Sequence, residues 1–453
     1  MKKILAMLLA ALMMVAVIGC QTTEPTEPNE PAAPTEAPAA QGTEAPASPE
    51  TPAAKGSVYY LNFKPEADAA WQALAAQYTA QFGVPVTVVT AASGTYSETL
   101  TAEMDKGASA PTLFQCGNQA GLDTWGDFCL DLTGTPVYGE MTTDDFNLFG
   151  ENGEVFCIGY CYECFGIIVN KALLEQAGHS VDEITDFASL KAVAEDITAR
   201  SAELGFAAFT SSGMDGSSSW RFSGHLANVP MFYEFRDNNV TEQPATVTGA
   251  YLDNYKNIWD LYINNSATDP TQLATATGDQ AEAEFGEGKA VFFQNGTWEY
   301  SNLTGKFGMK AEDLAMLPIY CGVEGEEKAG LCCGTENCWA VNSQASQENI
   351  DATLAFLKWV VTSDEGTTMM AQQFGPIPFK AAKASDNVFF NDANAYIANG
   401  NYVVSWAFNH TPNVDNWRAG VVAAMTQYSA GTGAWDDVVS AFVDGWANEY
   451  ANQ

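Results

Sequence analysis

The run Ala290-Val291-Phe292-Phe293-Gln294-Asn295-Gly296-Thr297-Trp298-Glu299-Tyr300-Ser301-Asn302 decides how the chain is read. Its first residues are apolar and rich in β-branched and aromatic side chains, as a buried strand requires. Asn295-Gly296 is a strong turn pair. Thr297 is then expected to cap a helix opening with Trp298-Glu299-Tyr300. A strand that turns into a helix belongs to an α/β sheet, where ligands sit beyond the carboxyl ends of the strands. Trp298 offers a flat apolar face there, and Glu299 offers acceptors beside it. A pyranose ring needs both, one for its C–H face and the other for its hydroxyls. Read locally, Trp298 serves equally well as a core residue packing its own helix.

Upstream, the folded body starts near Ser57 with the strand Val58 to Phe63. A helix follows from Pro65, with Trp71, Leu74, Ala75, Tyr78 and Phe82 on one face, closed by Gly83. Strands at Val84 to Thr90 and Thr112 to Cys116 flank a helix near Tyr96 to Lys106. This β-α-β-α-β series predicts a largely parallel sheet wound with helices. Asn62 and Lys64 end its first strand, and Asn118 and Gln119 end its third, so both loops open on the ligand edge. Each pair also reads as a plain turn or cap.

Glu163-Cys164-Phe165-Gly166-Ile167-Ile168-Val169-Asn170-Lys171 is the second informative run. A carboxylate heading an apolar strand is costly unless something pairs with it. That position suggests a crossing between lobes, or a salt-bridged structural Glu. Further on, a Gly/Ser-rich loop, Ser211 to Ser219, delivers Trp220-Arg221-Phe222. Tyr251, Tyr255, Ile258, Trp259 and Tyr262 form a helical stripe that reads as core.

Asn295-Gly296-x-Trp298-x-x-Ser301-Asn302 resembles the strand–turn–helix signature of the maltose-type extracellular solute-binding proteins of ABC transporters. Glu163 to Lys171 resembles that family's first hinge strand, with Val169 where the family usually has tyrosine. The resemblance is specific at these two runs and diffuse elsewhere from Ser57 onward. It implies a two-lobed, periplasmic-binding-protein-like (type II) α/β fold, each lobe a mainly parallel sheet, joined by a multi-strand hinge. It places hinge crossings near Glu163–Asn170, Ile319–Thr335 and Phe374–Phe379. The expected lobes are 57–163 with 320–377, and 164–319 with 378–453. It also implies that Trp298 stacks on a sugar ring, with Trp220 or Trp417 as a second platform. Glu163, Asn118, Gln119, Asn62, Lys64, Glu299 and Arg221 complete the expected ligand contacts. Trp417 and Trp220 each read as helix core too, and Trp406 is a weaker candidate platform.

The chain's 453 residues exceed one ordinary core, so two lobes are expected on length alone. A net charge of −37 and the absence of a Lys/Arg cluster argue against nucleic acid. The same field repels large anions and leaves neutral sugars and cations open. Residues 1–20 read as an export signal: Lys2 and Lys3, an apolar run from Ile4 to Ile18, then Gly19-Cys20. Val17-Ile18-Gly19-Cys20 resembles a lipobox, which implies lipidation of Cys20 and attachment to the outer face of the cytoplasmic membrane. The Pro/Thr/Glu/Ala-rich segment 21–56 has no apolar periodicity and reads as a disordered tether. At roughly 3.1 Å per residue its reach is on the order of 100 Å.

With Cys20 set aside, nine cysteines remain, an odd number, and buried free thiols are the default reading. Cys157-x3-Cys161-x2-Cys164 has the spacing of an iron–sulfur motif. In a strand, however, Cys157 and Cys161 share a face and Cys164 turns away. Cys332, Cys333 and Cys338 lack paired zinc spacing. No metal, cofactor or catalytic residue is expected. The three histidines are far apart, and neither a nucleophile elbow nor a phosphate loop is present. A carboxylate pair of the glycosidase kind is not excluded by counting. The expectation is a monomeric, lipid-anchored, non-enzymatic subunit of an ABC importer that takes a neutral sugar and passes it to a permease. The alternatives are the same fold holding a polyamine, peptide or metal complex, or a glycan-binding sensor or adhesin.

Overall fold

The computed structural model describes residues 56–453, so the export signal, Cys20 and nearly all of the tether lie outside the described residues. The first sheet takes β1 (Val58–Asn62), β2 (Val86–Thr90), β3 (Leu113–Gln115), β4 (Leu148–Phe149) and β5 (Val155–Gly159). The chain then builds a second sheet from β6 (Glu163–Asn170), β7 (Ala207–Phe209), β8 (Ala290–Gly296), β9 (Leu314–Leu317) and β10 (Ala329–Gly334). β11 (Cys338–Val341) returns to the first sheet, and β12 (Tyr402–Ser405) completes the second. The strand orders are β2-β1-β3-β11-β5-β4 and β12-β10-β6-β8-β7, with β9 also paired to β6. Apolar cores cover both faces of each sheet, giving two α/β lobes.

Every residue of β6 and β8 is buried. A continuous apolar run of this kind marks a strand covered on both faces. The two pair antiparallel, from Val169 opposite Phe292 to Phe165 opposite Gly296. The parallel pairing expected from the opening series holds for β2-β1-β3, and also for β7-β8 and β10-β12. The other pairs are antiparallel, so both sheets are mixed. Strands that arrive from the other lobe need no helical crossover, which frees them from the parallel rule.

The crossings differ in place from the expected ones. The chain first passes between sheets from Gly159 to Glu163. It returns between Gly334 and Cys338, because β10 still pairs with β6, Gly334 opposite Glu163. Residues 320–334 therefore go with the second sheet. Phe379 bridges Met141, and the Lys380 N–H donates to the Glu140 carbonyl, so the chain is still on the first lobe there. The next helix, Val388–Ala398, packs into the second lobe.

Ser363 ends one helix and caps the next, accepting from the Gly366 N–H at 2.9 Å. Thr297 does not act as a cap. Its N–H donates to the Cys164 carbonyl at 2.8 Å, and its Oγ1 accepts from the Cys164 N–H at 3.3 Å. The helix Glu299–Gly305 follows without a side-chain cap. Thr297 thus ties the turn after β8 to the start of β6.

The nine cysteines among the described residues are free and buried. Cys157 and Cys161, expected on one face, lie in different cores, and Cys164 lies in a third. The alternation breaks because β5 stops at Gly159.

Candidate functional site

β1 ends and β6 begins at the junction of the lobes, and Lys64, two residues past β1, pairs with the first residue of β6. Lys64 Nζ donates to Glu163 Oε1 at 2.8 Å and to Oε2 at 3.0 Å. Glu66 Oε1 lies 3.5 Å from the same ammonium. Asn337, in the Gly334–Cys338 crossing, donates from Nδ2 to Glu163 Oε2 at 2.6 Å. Its Oδ1 accepts from the Tyr160 hydroxyl at 3.1 Å, and that hydroxyl accepts from Gln115 Nε2 at 2.8 Å. Gln115 Oε1 accepts the Phe63 N–H at 2.7 Å. A buried carboxylate is stable only with partners like these. Burial pulls the Lys64 ammonium down, but the Glu163 carboxylate, helped by Glu66, holds it above its usual range. Both oxygens of Glu163 are therefore engaged by the protein itself, at the seam between the lobes.

The same ammonium lies 4.8 Å from the centroid of the Trp298 ring. Trp298 is half-buried, with its indole laid over Gly296 so closely that a Cβ there would overlap the ring. Trp220 approaches it at 6.1 Å between centroids, and His225 at 5.5 Å. Trp220 is held by its indole N–H, which donates to the Ser217 carbonyl at 2.9 Å. His225 stacks on Phe165 at 3.8 Å, with its Nδ1 3.0 Å from Gln294 Nε2. Burial, then the cations Arg418, Arg221 and Lys64, push the imidazole well below its usual range, so it is neutral. Two indoles, a neutral imidazole and a paired Lys–Glu thus meet in one place.

Glu299 differs from expectation in its charge. Its Oε1 accepts from Asn295 Nδ2 at 2.7 Å, while its buried Oε2 has no protein partner. Burial, then Glu282 and Glu66, push its carboxyl up to about 8. At neutral pH it is mostly the acid, a donor as well as an acceptor.

Five other expected contact residues are engaged within the protein instead. Arg221 is 1% exposed and is held within the protein. Its guanidinium donates to Ser218 Oγ and to the carbonyls of Gln294, Ser211 and Ser212, fastening the Gly/Ser loop to β8. Trp417 is 2% exposed. It packs edge-on against Phe442 and Trp446 and donates its N–H to the Phe442 carbonyl at 3.0 Å, which makes it helix core. Asn118 caps its own helix, accepting the Gly121 N–H at 2.9 Å, and exposed Gln119 reaches back to Asp123 on that helix. Asn62 closes the turn after β1, donating to the Lys64 carbonyl at 2.7 Å and accepting the Lys64 N–H at 3.1 Å.

The structure also gathers residues the sequence reading passed over: Asn337, Glu66, His225, Glu336 and Arg418. Burial raises the Glu336 carboxyl above its usual range against the pull of Arg418 and Lys64. Arg418 sits 5.6 Å from the Phe408 ring and beside Gly224, and its Nε has no protein partner. A visible signal for Arg418 existed. Trp417, Val421 and Met425 recur every four residues and are all buried, which sends residue 418 to the neighbouring face. Hollows of about 260 and 220 Å³ on the outer flank of the helix Leu252–Asn264 touch none of these residues.

The description bacterial extracellular solute-binding protein fits residues 73–397 of this chain at the level of a family. The chain belongs to that family. No curated protein matches it significantly. Among solved structures, this solute-binding protein is similar to the GacH receptor of Streptomyces glaucescens, solved unliganded and with acarbose or a homolog. The two are 18% identical over 88% of this chain and 99% of that one, with a TM-score of 0.64. A sugar transporter of Bacillus licheniformis in complex with stachyose is 15% identical over 87% and 100%, at 0.65. An ABC-transporter solute-binding protein of Thermotoga lettingae bound with alpha-D-tagatose is 13% identical over 88% and 100%, at 0.67. These likenesses establish the shared two-lobed fold. No helix among the described residues is long and apolar enough to cross a membrane.

Proposed function

We propose that this solute-binding protein is the substrate-binding subunit of an ABC importer for a neutral mono- or oligosaccharide. The observation that carries the reading is the meeting of Trp298 with Trp220 and His225 beside the Lys64–Glu163 pair. Two tilted indoles supply C–H stacking faces. Glu299, Glu336, Arg418 and the half-buried Glu66 supply donors and acceptors for hydroxyls. The sugars bound by the three related structures fit that chemistry. Lys64 and Glu163 form the floor at the crossing. Closure brings the second lobe's aromatic wall over the first, and the ligand favours the closed form by touching both. The protein carries the sugar unchanged to a membrane permease, held to the outer face of the cytoplasmic membrane through a lipid on Cys20, and works as a monomer without catalysis.

A second reading, a polyamine or other cation, is favoured by one observation. Glu66, Glu163, Glu299 and Glu336 outnumber the cations Lys64, Arg221 and Arg418, and an amine would restore charge to the carboxyls that burial has raised. Thermal unfolding over a panel of neutral sugars, amines and peptides separates the two. A ligand selective for the folded state raises the melting point, by about 2.7 kcal/mol of added stability at a hundred times its dissociation constant. A neutral sugar is expected to do so. A shift with amines alone would replace the sugar reading with the second one.

A further inference from the structure

Three thiols meet inside the first lobe, and nothing in the cleft uses them. Cys116 follows β3, Cys129 follows the short turn Gly126–Phe128, and Cys157 lies in β5. Their Sγ atoms all lie within 4.8 Å of one another. The spacing 116, 129, 157 carries no familiar ligand motif, so only the fold brings the three together. Their surroundings are apolar: Leu61, Phe114, Leu122 and Ala340 pack in the same core. Sulfurs arranged in a triangle about an ion at roughly 2.3 Å stand about 4 Å apart, so a small contraction of this triad would close around a metal.

We propose that Cys116, Cys129 and Cys157 form a three-sulfur site for the cuprous ion. The ligand set is soft and contains neither carboxylate nor imidazole, which selects soft ions over calcium, magnesium or manganese. Structural zinc takes four protein ligands. Among the described residues no further His, Cys, Asp or Glu joins the group; Cys338 packs in the same core but outside the triad, and Met104 adds a soft thioether to its shell. Cuprous ion is satisfied by few thiolates in a dry pocket. Binding forms copper–sulfur bonds, and each thiol that becomes a thiolate releases its proton to solvent. Copper enters and remains as Cu(I), so no electron is transferred. The ion would join the end of β3, the following turn and β5, and so stiffen the first lobe.

The test is an anaerobic titration of the reduced, full-length protein with Cu(I) held by a competing chelator such as bathocuproine disulfonate. Wild type is expected to withdraw one more equivalent of copper than Cys157→Ser. Cys164→Ser alters the other close sulfur pair, Cys164–Cys333, whose Sγ atoms lie 2.8 Å apart, and should keep the triad equivalent. X-ray absorption of copper-loaded Cys164→Ser should show three sulfur neighbours. Should Cys157→Ser fail to fold, alkylation of the wild type with and without Cu(I), read by mass spectrometry, should show protection at Cys116, Cys129 and Cys157 together. Equal copper uptake by wild type and Cys157→Ser, absence of joint protection, or uptake of zinc but not Cu(I) would overturn the site.

Discussion

Trp298 and Trp417 read alike in the sequence and part in the structure. Both are indoles near a helix start, yet Trp298 lies half-buried between Lys64 and Trp220, and Trp417 closes a helix-pair core. Two deletions should therefore act on different quantities. Trp298→Ala is expected to weaken sugar binding by about 2 kcal/mol or more, as anchoring aromatics do, with little change in melting point. Trp417→Phe should lower the melting point through its lost bond to the Phe442 carbonyl and leave affinity alone. Calorimetry and thermal unfolding of both variants check the pair, and matched losses of affinity would return Trp417 to the cleft. Glu299 makes a pH-dependent prediction. Its folded carboxyl titrates near 8, against an ordinary value of 4.5, so the fold favours the protonated form. Its contribution is complete below about pH 4.5, declines as pH rises, and is lost once pH passes about 8. Glu299→Gln should remove that decline, gaining on wild type by on the order of a few kcal/mol between those limits. Denaturant midpoints of the two proteins across this range measure it, and parallel curves would mean Glu299 is ordinarily ionised. The sequence marked Glu299 as a site residue but could not show its charge, because burial beside Glu282 and Glu66 is a tertiary fact.

The strands were the most legible elements. β6 was bounded correctly at both ends, since a six-residue apolar run between a Glu and an Asn-Lys has few other solutions. The turn after β8 comes later than the Asn295-Gly296 pair suggests: both residues still pair in the strand, opposite Gly166 and Phe165, and the chain turns at Thr297 and Trp298. Thr297 pairs with Cys164 across the sheet, where the local pattern suggested a cap, because strand neighbours far apart in sequence are invisible to a window reading. That turn fixes the indole. Gly296 ends β8 directly under the Trp298 ring, and a methyl there would overlap it. Gly296→Ala should keep the fold, since the ring is half-buried and can turn outward, while rotating the indole off its platform. The expected result is loss of most sugar affinity with intact circular dichroism. Unchanged affinity would show that the indole orientation is not what the turn provides.

At the scale of the molecule, two lobes followed from chain length and from the two specific runs, while the crossings did not. β10 reads as a return to the first lobe because its Cys-rich, apolar sequence suits either sheet. Only its pairing with Glu163 and Cys164 assigns it. The loops at the cleft mouth were equally silent, yet they carry the contact between lobes. Ser93, in the loop after β2, donates from Oγ to the Ser217 carbonyl in the loop after β7, at 3.0 Å. Beside it Gly94 adopts φ 75°, and a Cβ there would overlap the Gly216 carbonyl across the gap. Asparagine tolerates that backbone region better than other side chains, so Gly94→Asn adds bulk between the lobes with little local strain. Under the proposed closure, the added atoms obstruct only the closed form. Affinity falls in proportion to the fraction of molecules able to close, and each 1.4 kcal/mol placed on closure is about tenfold. Gly94→Asn is therefore expected to bind the sugar at least tenfold more weakly while melting like wild type in its absence. Small-angle scattering should show wild type contracting on saturation with sugar and the variant contracting less. A variant that binds as tightly and contracts as fully would mean that the Ser93–Ser217 seam does not gate the cleft, and that closure is governed at the Lys64–Glu163–Asn337 junction instead.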